Sequence, residues 1–147
     1  MTDGENGGGT TRLGAPRVGV HFDHPDRTYA PQDSLTAAYE VEGVAVADIR
    51  AIERSVVWYT EGKGEEDLGV HHFDRLEGAA ALRAALPAGS VSLRLPPSPL
   101  SYEGVVVKIR WCVRIRLFFA AGRDYVSEHV FDLGDVPPSR GTVERLA

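Results

Sequence analysis

Residues 105–119 read VVVKIRWCVRIRLFF. Val105, Val107, Ile109, Trp111, Val113, Ile115, Leu117 and Phe119 fall at every second position and make one unbroken apolar face. The positions between them are Val106, Lys108, Arg110, Cys112, Arg114, Arg116 and Phe118. A two-residue period sustained this far excludes a helix, in which alternate residues do not share a face. It describes a long strand with one face on a core and the other carrying a row of cations.

The surrounding sequence supplies partners for that strand. Ala121-Gly122 permits a hairpin into a strand from Asp124 to Leu133. Upstream, Ser90 to Leu95 alternates Val91, Leu93 and Leu95 with Ser92 and Arg94, as a half-buried strand does. Gly69 to Leu76 forms another strand, and the Ala/Leu-rich stretch Glu77 to Leu86, stopped by Pro87 and Gly89, predicts one short helix. A long strand from about Asp48 to Thr60 carries Val56, Val57, Trp58 and Tyr59; both its faces are partly apolar and leave its phase open. It is followed by a charged, glycine-punctuated loop, Glu61 to Asp67. Ser34 to Glu42 aligns Leu35, Ala37, Tyr39 and Val41, and Arg17 to Asp23 aligns Val18, Val20 and Phe22. About seven or eight strands around one core require two packed sheets. The expected fold is therefore an all-β, immunoglobulin-like two-sheet antiparallel sandwich with at most one short helix.

Two stretches resemble a known family. Leu95-Pro96-Pro97-Ser98, Ser101-Tyr102-Glu103-Gly104 and Ile109-Arg110-Trp111-Cys112-Val113 resemble the Leu-Pro-x-Ser segment, aromatic-Glu-Gly turn and Ile/Val-Arg-aromatic-x-Val strand of arrestin-like domains. Tyr29-Ala30-Pro31-Gln32-Asp33-Ser34-Leu35 resembles the same family's entry to its second strand, with Gln32 where the family usually has glycine and Ala37 where it often has another. The likeness spans about Arg17 to Leu133. It implies a single arrestin-N-like sandwich and an adaptor role in trafficking or signalling. The second sandwich of that family, and the groove between the two, have no counterpart in this chain. Local physics agrees: Pro96, Pro97 and Pro99 cannot donate to a sheet ladder and end the strand at Leu95. Gly104 is expected to permit a turn or close packing, and Tyr102 to cover one end of the core.

Length and composition bound the rest. The 147 residues, 43% of them hydrophobic, suit one domain with its own core. The expected organisation is a disordered Gly-rich leader over 1–16, the sandwich over 17–135 and a flexible tail over 136–147. A net charge of −5 argues against general nucleic-acid binding. The single cysteine, Cys112, permits no intrachain disulfide. The leader lacks the apolar core of a signal peptide, and no apolar run reaches the roughly 18 residues of a membrane span. A cytoplasmic protein with no cofactor is the expectation.

Catalytic constellations are thin. His71-His72 with Asp74 suggests a metal site, but adjacent residues on a regular strand point to opposite faces and His72 with Asp74 makes only two ligands. His21, Asp23 and His24 near a turn are similarly incomplete. Cys112 lies among Arg110 and Arg114, which would lower its pKa, yet no Cys-His signature surrounds it. No Gly-x-Ser-x-Gly, Gly-x-Gly-x-x-Gly or Walker-type loop occurs. A non-enzyme is expected, with a small ligand-binding or hydrolytic sandwich built on His71-His72-Asp74 or Cys112 as one alternative and a structural subunit of a larger assembly as another.

The candidate partner-binding residues are Lys108, Arg110, Arg114, Arg116 and Phe118. Four cations on one strand face repel unless acids neutralise them. Asp124, Glu128 and Asp132 on the next strand would do so if a three-residue loop around Ala121 joins the two; a two-residue loop would bring Tyr125, Ser127 and His129 opposite instead. Glu53 and Glu61 are further candidates. Otherwise the stripe is a docking surface for an acidic peptide or a phospholipid headgroup at the membrane periphery. Phe118 and Val106 bracket that face and suit a partner chain or self-association, and a sheet edge would accept an extended peptide.

Overall fold

The computed structural model describes residues 15–136. Residues 1–14 of the expected leader (1–16) and residues 137–147 of the expected tail (136–147) lie outside them. The described residues form strands β1 (Arg17–Phe22), β2 (Thr28–Tyr29), β3 (Ser34–Glu42), β4 (Ile49–Gly62), β5 (Leu68–Glu77), β6 (Ala88–Arg94), β7 (Tyr102–Glu103), β8 (Val107–Phe119) and β9 (Asp124–Leu133). One short helix, α1 (Ala79–Ala85), joins β5 to β6, and a 3-10 turn, Val46–Asp48, precedes β4. The fold is an all-β sandwich of two sheets. A smaller sheet has the order β1-β3-β6; the larger runs β2-β9-β8-β4-β5, with β7 also pairing with β8. Every pairing is antiparallel except the short β2–β9 contact.

Alternation decides which residues meet between the sheets. β3 is buried at Leu35, Ala37, Tyr39 and Val41, and β8 contributes Trp111, Val113, Ile115, Leu117 and Phe119. Trp111 is fully enclosed, and its indole N–H donates to the Pro99 carbonyl at 2.7 Å. The proline-rich connection thus closes over the core and satisfies a buried donor at once. Strand β4 resolves its open phase through an irregularity: the register shifts between Ile49 and Ala51, so Ile49, Ile52 and Val56 face the core while Ala51 and Val57 face outward. In β5 a second shift, opposite Val56 and Val57, changes the alternation at the two histidines.

Two local expectations differ from the fold, and two short strands were not expected. Val105 and Val106 precede β8 and are strongly exposed, because the chain only joins the ladder at Val107. Tyr102 is more than half exposed, and its ring lies against Gly104, where an added Cβ would come within 2.4 Å of it. Gly104 therefore serves close packing, and Trp111 rather than Tyr102 fills the core beneath. The strands β2 and β7, two residues each, are too short to show an alternation and emerge only from pairing with β9 and β8.

The family-like entry to β3 has a physical basis. Asp33 N–H donates to the Ala30 carbonyl at 3.1 Å, and Gln32 has φ +69°. Pro31 and Gln32 thus occupy the central positions of a tight turn whose second position wants a left-handed residue. Glycine is the usual solution there; this chain holds glutamine in it.

Candidate functional site

The outer face of the larger sheet carries the predicted stripe. The β8–β9 hairpin closes through Phe119 N–H to the Arg123 carbonyl and Gly122 N–H to the Phe119 carbonyl, leaving the three-residue loop Ala120–Gly122. Gly122 takes φ +103° there, as the bulged third residue of such a loop requires. The resulting register sets Arg114 opposite Glu128 and Phe118 opposite Asp124. Every cation of the stripe then meets a carboxylate. Lys108 pairs with Glu103 at 3.0 Å, Arg110 with Glu61 at 2.7 Å, Arg114 with Glu128 at 2.7 Å and Arg116 with Asp124 at 2.9 Å. Arg110 also lies 3.7 Å from Glu103. The hydrogen bond that Arg110 donates to Glu61 raises the guanidinium further above its ordinary range, against the opposing effect of burial.

Some partners differ from those the sequence suggested. Glu53 binds Arg75 of β5 at 2.7 Å instead of a stripe residue, and Arg75 also holds Glu77. Asp132 joins no ion pair among the described residues; burial raises its carboxyl pKa, with Arg110 opposing. Glu103 is a partner that no pattern in the sequence marked, because β7 reaches β8 only after the proline-rich connection has turned the chain back. Phe118 is ringed by guanidiniums, with Arg75 at 4.6 Å, Arg116 at 4.9 Å and Arg50 at 5.7 Å from its centroid. These cation–π contacts organise one end of the face.

The floor between the charged rungs is apolar. Val70, Val57, Cys112 and Val130 line up across β5, β4, β8 and β9. Cys112 is buried, and burial pushes its thiol pKa up to about 12; Glu128 adds to the rise and Arg114 only partly opposes it. The arginine-driven lowering anticipated for this thiol is outweighed by desolvation, so it stays protonated. Toward β5 the face becomes openly apolar: Leu68, Val70 and Phe73 are each more than half exposed, and Val126 on β9 is 43% exposed. Between the β4–β5 hairpin and the Arg114–Glu128 rung lies an open cleft of about 420 Å³ walled by Tyr59, Leu68, Glu66 and Asp67.

The histidine strand serves a different surface. The shift in β5 turns both histidines toward the smaller sheet, contrary to simple alternation. His71 Nε2 is 2.8 Å from the Arg94 carbonyl and its ring meets Trp111 edge-on, while His72 Nε2 is 3.5 Å from Asp74. Asp74 is bound by two Arg54 nitrogens at 2.9 Å, and Arg54 also donates to the Tyr39 hydroxyl and the Ser90 carbonyl. Burial would raise the Asp74 carboxyl pKa, but Arg54 and His72 hold it below the usual carboxylate range. Arg54, anchored by Asp74 on the neighbouring strand of the larger sheet, thus reaches across to Tyr39 and Ser90 of the smaller one as a polar clasp between the sheets. At the other side, Asp23 accepts from the Tyr29 hydroxyl at 2.6 Å and from Thr36 N–H, and His24 stacks on Tyr29, which ties the turn after β1 to the core. Among the described residues no three His, Cys, Asp or Glu side chains converge to hold a metal ion, and no helix is long and apolar enough to cross a membrane.

The chain is similar in fold to Spo0M. This sporulation control protein of Bacillus subtilis aligns with a TM-score of 0.57 and 16% identity over 82% of this chain. The chain spans about half of Spo0M, 50% of its length. At that identity the likeness concerns the fold alone. A β-glucosidase from Listeria innocua aligns at a TM-score of 0.36 and 12% identity over 16% of its own chain, too loose a match to bear on activity. No family model matches the chain, and no curated protein is similar to it in sequence.

Proposed function

We propose that this chain is a non-enzymatic adaptor or scaffold domain, related to arrestin-like domains, that docks a protein partner on the outer face of its larger sheet. The observation that carries this reading is the exposure of Leu68, Val70, Phe73 and Val126 on a face whose stripe cations are already paired. Paired charges supply an ordered and nearly neutral platform; the apolar side chains supply the area that a partner gains by covering. In this reading Lys108, Arg110, Arg114, Arg116 and Phe118 build the platform and form part of the docking surface. The buried, protonated Cys112 supports a non-catalytic role, since the thiolate is the nucleophile. The likeness in fold to Spo0M, a sporulation control protein, is in keeping with it. The sandwich over 17–135, flanked by its leader and tail and working in the cytoplasm, is the unit that docks.

A photo-crosslinking residue placed at Phe73 or Val126 tests this in cells. Crosslinks to one defined protein from these positions, and none from the exposed Glu42 of the smaller sheet, are the expected result. Silence at both positions, or equal yield from Glu42, refutes the assignment. A crosslinked dimer of the chain itself would make the partner a second copy, which light scattering of the purified protein measures independently.

A further inference from the structure

We infer that the segment docked on this face is basic, with a Lys or Arg side chain seated in the cleft beside the β4–β5 hairpin. This rests on the docking role proposed above. Seen from the sequence alone, the stripe of β8 suggests the opposite sign. The structure changes the electrostatic balance, because each stripe cation is engaged by a carboxylate of the same chain. At the cleft end of the face the charges left over are acidic. In the hairpin, Glu65, Glu66 and Asp67 join no ion pair among the described residues, and only Lys63 offsets them. Glu66 and Asp67 line the cleft, and Asp67 is held in place by its own N–H donating to the Thr60 hydroxyl at 2.8 Å.

The other walls suit the rest of such a side chain. Tyr59 adds an aromatic side chain to the lining, and Leu68 an apolar surface for the aliphatic stem of a basic residue. Val70 and Phe73 follow Leu68 along β5 and are exposed, so apolar residues flanking the basic one have a surface to cover. An acidic segment laid in the cleft would face Glu66 and Asp67, and Arg114, the cation that lines it, is already paired with Glu128. The occupant is thus a peptide segment mixing basic and apolar residues, drawn in by charge and held by apolar contact.

Two labelled peptides with the same apolar residues test this on the full chain by fluorescence anisotropy: Lys-Val-Arg-Phe-Lys-Val and Glu-Val-Asp-Phe-Glu-Val. The basic peptide should bind, and its affinity should fall as salt is raised. The double variant Glu66→Gln, Asp67→Asn, isosteric and confined to an exposed loop, should weaken it about tenfold, while Glu42→Gln on the opposite sheet leaves it unchanged. Equal or tighter binding of the acidic peptide overturns the inference, as does an unchanged affinity in the double variant. If the crosslinker at Phe73 captures a partner while the basic peptide fails to bind, the inference falls and the docking role stands. If neither reports binding, both fall.

Discussion

Replacing Arg54 by leucine removes the polar clasp between the sheets while keeping much of the side chain's volume. The arginine has 15% of its side chain exposed and Asp74 has 31%, so the pair is well shielded from solvent. Two bonds to Asp74 are lost together with those to Tyr39 and Ser90. Asp74 would remain half-buried with only His72 nearby. Breaking a shielded pair from one side costs about 3 kcal/mol, and for a domain of this size that lowers Tm by about 10 °C. The double variant Arg54→Leu, Asp74→Leu should recover most of the loss, since no charge is then left without a partner. The pH dependence has a definite sign. The folded-state pKa of Asp74 is depressed, so its stabilisation is complete above the unfolded carboxylate value of about 4 and disappears as pH falls through the folded value. The gap between wild type and Arg54→Leu should therefore narrow from pH 7 to pH 3. Urea unfolding followed by tryptophan fluorescence at both pH values measures it. A single variant that loses less than about 0.5 kcal/mol, or a double variant as unstable as the single, refutes the clasp.

Three further outcomes follow from the same structure. Arg110→Glu with Arg114→Glu sets acids against Glu61 and Glu128 and should destabilise by about 2 kcal/mol in urea, whereas Arg17→Gln, in a pair largely open to solvent, should change stability little. Cys112 should resist a disulfide reagent in native buffer at pH 8 and react only as the chain unfolds; stoichiometric labelling within minutes would contradict its burial. At Gln32, with φ +69°, a β-branched valine should cost about 1 kcal/mol or more and glycine nothing, read as the difference in thermal midpoint; equal midpoints would mean the turn is not strained.

The strand pattern was legible wherever one face met a core and the other met water. Ser34–Glu42 and Asp124–Leu133 run between the bounds that alternation and turn residues suggest. Elements decided by pairing were not legible: β2 and β7 have no periodicity to read, and β4 changes phase where its register shifts. The histidines show the cost of assuming regular alternation. A shift in β5 puts His71 and His72 on one side, and a bulge of that kind depends on the neighbouring strand as much as on its own residues.

The alternation from Val107 to Phe119 determined by itself that the chain builds a sheet with a cationic outer row, because side-chain direction in a strand follows from covalent geometry alone. What neutralises that row was decided by tertiary structure. Glu61 arrives from β4, Glu103 from β7 and Glu128 from β9, and which acid meets which cation depends on strand order and on one residue of loop length. Burial was decided there too: Cys112 stands among arginines in the sequence, but packing on its strand neighbours removes water from the thiol and reverses the shift those arginines would impose. Local geometry acts within a strand, whereas charge balance and desolvation are sums over neighbours that only the folded chain brings together.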